Sequence, residues 1–201
     1  DHVLSECPRW LVLVEGVGYS PGAPGADRDD MGIWWGENLV GVRVAPVELS
    51  NQSKLVYAPH TYGPSVYMQS YFSDVAFPYN MPGVWEQHFA FAQKATGRPI
   101  LLGEVGGAYT DRDRQWCDWA IDYIATRKIG IFWFALNPDS HDTGGLLPAN
   151  WTLPPNGSVE ALKLQALSRL PSTDVLGLCD ACRRAADAGE PGDDPATDSA
   201  T

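Results

Sequence analysis

Four short apolar runs, each closing on polar residues, constrain this chain more than any other feature. They are Trp10–Glu15, Lys54–His60, Pro99–Glu104 and Ile129–Asn137. Each is too short for a buried helix and is bounded by Gly or Pro. Near-continuous apolar runs of this length predict strands buried on both faces, as in parallel sheets. Between and after the later runs the period changes to three and four. From Met81 to Thr96, Trp85, His88, Phe89 and Ala92 form one stripe. From Asp111 to Arg127, Trp116, Trp119, Ala120, Tyr123 and Ile124 form a second, with Asp111 placed to cap its start. A third amphipathic segment runs over Ser158–Leu170 and should stop at Pro171. The order strand, long loop, strand, helix, strand, helix, strand, helix predicts an α/β fold with parallel strands and right-handed crossovers.

In such folds the carboxyl ends of the strands form the face that binds ligands. The four runs deliver Glu15, then His60 and Tyr62, then Glu104, then Asn137 to that one rim. Composition narrows what the rim meets. With 14 basic against 25 acidic residues the net charge is −11, which argues against a nucleic-acid partner and against an anionic membrane surface. No stretch reaches the roughly 18 consecutive apolar residues of a spanning helix. Eight Trp, eight Tyr and six Phe stand in a chain only 19% charged. Flat rings beside few charges suit a neutral, ring-shaped ligand, and sugars belong to that class.

The cysteines, Cys7, Cys117, Cys179 and Cys182, are too scattered for a small disulfide scaffold. Cys179 and Cys182 have CxxC spacing without a second pair to complete a zinc site, so a local disulfide or idle thiols compete with metal or redox chemistry. Asn-x-Ser/Thr sequons stand at Asn51, Asn150 and Asn156, in polar or Pro-rich stretches that tolerate a glycan. They predict a secreted, extracellular protein, although no signal peptide is visible at residue 1. After Pro171 the chain becomes acidic and rich in Gly, Pro and Ala. Residues 1–171 therefore read as one domain and 172–201 as a disordered tail or linker.

Several segments carry a resemblance. Val14-Glu15-Gly16, the loop Trp34-Trp35-Gly36-Glu37-Asn38-Leu39 and Tyr57-Ala58-Pro59-His60-Thr61-Tyr62-Gly63 resemble segments of the cellulases of glycoside hydrolase family five. So do Phe72-Ser73-Asp74, the stretch Asn80–Trp85, Gly103-Glu104-Val105-Gly106 and the stretch Asn137–Gly145. They occur in the family's order, from about Trp10 to Pro171. The resemblance implies a (β/α)8 barrel, of which this chain supplies about the last four strand–helix units. The family's early segments, including the Asn-Glu-Pro motif with the general acid/base, have no counterpart here. A partner is thus implied in the missing N-terminal half of the barrel.

What the resemblance implies chemically is retaining hydrolysis, which needs two carboxyl groups about 5–5.5 Å apart. Glu104 falls on the position of the nucleophile. His60 and Tyr62 match the strand-end pair in which the phenol contacts that carboxylate and the imidazole helps hold the sugar. Glu15 matches a supporting position outside the catalytic pair. Asn137 and Phe134 lie on the last strand as substrate contacts, with Phe134 where the family usually keeps a stacking Trp. Trp133 next to it is a further substrate contact if a local bulge brings it inward, whereas plain alternation turns it to the helices. Trp34 and Trp35 are rim indoles, at least one of them stacking on sugar, with core anchoring as the other reading. The implied activity is endo-hydrolysis of a β-1,4-glucan without metal or organic cofactor. A mannanase, another β-glucanase or a non-catalytic carbohydrate-binding fragment are the alternatives.

Overall fold

The computed structural model describes residues 1–18 and 33–172. The tail reading for 172–201 and the pairing of Cys179 with Cys182 lie, but for residue 172, outside the described residues. A short helix α1 (His2–Glu6) leads into β1 (Val12–Val14). Then follow β2 (Leu55–Tyr57), β3 (His60–Tyr62), β4 (Leu101–Gly106) and β5 (Gly130–Trp133). All pairings between them are parallel: β1 with β2, β3 with β4, β4 with β5.

The sequence predicts one strand over 54–60, and the structure extends it to Tyr62 but breaks it in two. Pro59 has no N–H to give a ladder. On one side of the break, Ala58 N–H donates to Val14 O (2.8 Å); on the other, Gly103 N–H donates to Pro59 O (3.0 Å). A parallel bridge from Tyr57 to Ile100 also crosses it. The four expected strand positions therefore line up as one arc, β1, β2/β3, β4, β5.

Helices cover one side of this arc. The predicted helix over 81–96 forms, but as α2 (Met81–Trp85), a π turn over Glu86–Ala90 and α3 (Phe91–Thr96). Gly97 ends it at φ 69°, a conformation that glycine adopts without steric cost. α4 (Asp111–Arg127) buries Trp116, Cys117, Ala120, Ile121 and Ile124. Asp111 is not its cap. Thr110 takes the N-cap place, without a side-chain bond, and Asp111 opens the helix exposed, at φ 46°. α5 (Val159–Leu167) starts as predicted, with Ser158 Oγ accepting from Ala161 N–H at 3.3 Å.

The opposite side of the arc is open. Along β5 burial alternates, with Ile131 and Trp133 toward the helices and Phe132 57% exposed. Trp10, Leu11, Leu13 and Leu136 are exposed as well. A sheet buried on one side only, with large apolar side chains along the other, is half of the two-sided burial expected for parallel strands.

Candidate active site

A β-bulge sets the direction of Glu104. Leu102 pairs with Ile131 but Val105 pairs with Trp133, so β4 holds one more residue than β5 over this stretch. Leu102 and Val105, three apart, are consequently both buried against the helices. The extra residue lies at Gly103–Glu104 and turns the carboxylate to the rim, a use to which bulges near sites are often put.

Around Glu104 the structure brings together Tyr62, His60 and Trp35. β3 pairs His60 with Glu104 and Tyr62 with Gly106. Tyr62 O–H donates a short hydrogen bond to Glu104 Oε2. Burial raises the Tyr62 phenol far above its usual range, and the Glu104 acceptor and the Glu104 and Asp142 charges raise it further. The phenol therefore stays a donor. Trp35 Nε1–H lies at 3.5 Å from the same oxygen, a long bond. His60 stands between two carboxylates, its Nδ1 at 3.5 Å from Glu104 Oε2 and 3.7 Å from Glu15 Oε1. Those contacts through one nitrogen keep the two carboxylate oxygens within about 7 Å of each other. Phe134 completes the rim with its ring 6.1 Å from that of Tyr62, edge to face.

Gly36 lets these parts meet. Its φ is 74°, and a Cβ there would collide with the Glu15 side chain and come to 2.9 Å from His60 Nδ1. Its carbonyl accepts from Gly16 N–H (3.0 Å) and His60 N–H (3.3 Å). One backbone oxygen thus ties the ends of β1 and β3 together.

Two expected substrate contacts are corrected. Trp34 is 2% exposed and packs edge-on against Tyr62 at 5.7 Å, so it has no face free for a sugar. Its neighbour Trp35, 49% exposed, has one. Trp133 is turned toward the helices by strand alternation and packs on the core. Phe134, 38% exposed, points to the rim instead. Asn137 is half-buried beyond the strand end, where Gly145 packs on its carbonyl.

Three more residues shape the rim, and of these only Asp142 falls in a motif, the stretch Asn137–Gly145. Asp113, 3% exposed, fastens the loops after β3 and β4. Its Oδ1 accepts from Ser65 N–H (3.1 Å) and Ser65 Oγ–H (2.7 Å), its Oδ2 from Tyr109 N–H (2.8 Å) and Cys117 Sγ–H (3.4 Å). Burial, reinforced by this carboxylate, pushes the Cys117 thiol well up, so it remains a donor. Lys163 on α5 is 2% exposed and caps the loop after β5, donating to Thr143 O (2.7 Å) and Gly145 O (3.3 Å). Burial lowers its pKa. Asp142 lines a cavity of about 360 Å³ with Trp35, Val66, Tyr67 and Gln69. Asp113→Ala is expected to orphan the Ser65 and Tyr109 N–H groups at about 1–3 kcal/mol each. That corresponds to a melting temperature lower by about 2–4 °C per kcal/mol for a chain of this size. An unchanged thermal melt contradicts the role.

Among the described residues no group of three or more His, Cys, Asp and Glu side chains is placed to hold a metal ion. The arrangement presents two carboxylates with an imidazole between them, a phenol that stays protonated and two half-exposed rings on an open rim. The model of the cellulase family, glycosyl hydrolase family 5, matches residues 1–140. The chain belongs to this family.

Relatives agree in sequence and in shape. An endoglucanase of Paenibacillus polymyxa is 40% identical over 155 residues, which are 76% of this chain and 38% of that protein. The major extracellular endoglucanase of Xanthomonas campestris is 42% identical, over 75% of this chain and 30% of its own length. A cellotetraose complex of the endocellulase from Pyrococcus horikoshii superposes with a TM-score of 0.73 at 36% identity, covering 83% of this chain and 45% of that one. The arc described here is thus part of a family 5 (β/α)8 barrel, and the chain spans less than half the length of these relatives.

Proposed function

We propose that this segment carries the nucleophile half of an endo-β-1,4-glucanase that works by retaining double displacement. One observation carries the reading: Glu104, at a strand end of a family 5 barrel, takes the Tyr62 O–H on the oxygen that also faces Trp35 and His60. Glu104 attacks the anomeric carbon as the glycosidic bond breaks, giving a glycosyl ester; water then cleaves the ester, and the two inversions retain configuration. Tyr62 O–H and Trp35 N–H steady the attacking carboxylate and are left facing its oxygen when that oxygen turns into an ester. Trp35 and Phe134 offer faces to pyranose rings, while Glu15 acts through His60.

The general acid/base comes, in this reading, from the part of the family fold that the chain does not span. The same part closes the barrel over Leu13, Phe132 and Leu136. A glucan is favoured over a mannan because the relatives matched are endoglucanases and one neighbour holds cellotetraose. Extracellular action is supported by the Xanthomonas relative's name and by the exposure of Asn51, Asn150 and Asn156.

The test is a chimera in which the part of the P. polymyxa endoglucanase left uncovered by the match is joined ahead of residues 1–172. It should hydrolyse carboxymethyl cellulose, and Trp35→Ala should weaken cello-oligosaccharide binding by about 1–3 kcal/mol, the scale of ring stacking on an aromatic side chain. A folded chimera without activity contradicts the reading. Closure has its own signature. Phe132→Ala should cost less than about 1 kcal/mol in the 201-residue chain, where the ring is exposed. In the chimera it should cost about 3–5 kcal/mol, as for a core Phe. Equal costs in the two proteins would mean that the face stays open.

A further inference from the structure

The most deeply buried charged side chain near the rim takes no part in the reaction just described. Glu37 is 0% exposed and His88 2%, and Glu37 Oε2 lies 3.0 Å from His88 Nδ1. A carboxylate removed from water needs partners at its own site. Glu37 has two. The imidazole is one, and the other is Trp34 N–H, which donates to Oε2 at 3.1 Å while Glu37 N–H returns a bond to Trp34 O at 3.2 Å. The turn 34–37 is therefore closed on itself by the residue at its end.

The helix side is built for the same contact. His88 sits in the π turn Glu86–Ala90, where the widened turn frees a carbonyl from the ordinary ladder. His88 O accepts Leu39 N–H at 3.0 Å. One residue of the helix thus holds the loop twice, through its carbonyl at Leu39 and its imidazole at Glu37. Tyr71 lies against His88, ring to ring at 5.9 Å, and its phenol is held neutral by burial first and by the Glu37 charge second.

What the clamp holds is Trp35, whose indole stands edge-on to Trp34 at 5.6 Å and faces Glu104 Oε2 at 3.5 Å. We propose that Glu37 and His88 are positioning residues: by fixing the 34–39 turn to the helix they deliver the Trp35 indole N–H to Glu104. The functional meaning rests on Glu104 being the nucleophile; the structural coupling does not.

The experiment uses the full 201-residue chain labelled with 5-fluorotryptophan. Fluorine NMR reads Trp35, assigned with Trp35→Phe, and Trp116 as a core reporter assigned with Trp116→Phe. Glu104→Gln removes the charged acceptor and should shift the Trp35 line. Glu37→Ala should move that line, abolish its response to Glu104→Gln and leave Trp116 in place. Glu37→Gln, which keeps an acceptor for Trp34 N–H, should retain the response. If Glu37→Ala also collapses the Trp116 line, His88→Gln decides by the same readout. A Trp35 line that still responds fully to Glu104→Gln in the deciding variant overturns the proposal, as does one that never responds in the parent chain. No step measures turnover, so a failure of the hydrolytic reading appears separately, in the chimera.

Discussion

Glu104→Gln is expected to reduce hydrolysis by the chimera by several orders of magnitude, on the scale of the roughly 10⁶-fold loss that follows removal of a hydrolase's covalent nucleophile. The substitution keeps the side chain's shape and its acceptor for Tyr62 O–H while removing the charge that attacks carbon. The fold should be unaffected, because Glu104 is partly exposed at a strand end and contributes no core packing. Initial rates on an aryl cellobioside, with a thermal melt alongside, check both parts. A loss of less than tenfold in a folded variant would remove Glu104 from the chemistry.

The second large effect concerns the 201-residue polypeptide by itself. It is expected not to hydrolyse cellulose at a rate comparable with an intact relative. Its rim brings Glu104 a phenol, an indole and an imidazole, and the nearest linked carboxylate, Glu15, is engaged with that same imidazole. Without protonation the departing sugar leaves as an alkoxide, and general acid help is worth about 10²–10⁴-fold. Aryl cellobiosides with good leaving groups need less of it, so a small burst on those alone is the expected pattern. Full turnover on a soluble cellulose derivative would instead place Glu15 in the acid's role.

Much of this architecture is legible in the sequence, for a physical reason. Strand ends in a parallel α/β fold sit where apolar runs stop, so the sequence brings Glu15, His60, Tyr62 and Glu104 to one rim without any coordinates, while Asn137 falls beyond the end of β5. Trp34 and Trp35 show the limit. Adjacent residues of a loop carry no periodicity, and only the turn closed by Glu37 decides that Trp34 is buried and Trp35 exposed. Trp133 and Phe134 are the opposite case, since strand alternation alone assigns the first to the helices and the second to the rim. The sequence reading misses Asp113 and Lys163, although a charged residue in line with the buried face of a helix, as each is on α4 and α5, signals a specific partner. Tyr109 and Cys117 are local to Asp113, but Ser65, Thr143 and Gly145 lie 18 to 48 residues from the side chains they meet, beyond what local pattern specifies. The π turn at Glu86–Ala90 is likewise invisible to a stripe of three and four, and the contacts of His88 with Glu37 and Leu39 that accompany it are long-range.

The claim at the centre of this account is that Glu104 forms the glycosyl ester. A 2-fluoro-cellobioside with a good leaving group slows breakdown of that ester and traps it on the protein. Peptide mass spectrometry of the inactivated chimera should place the label on the peptide containing Gly103-Glu104-Val105, with the adduct on Glu104. A label on Glu15, Asp142 or any other carboxylate would contradict the account.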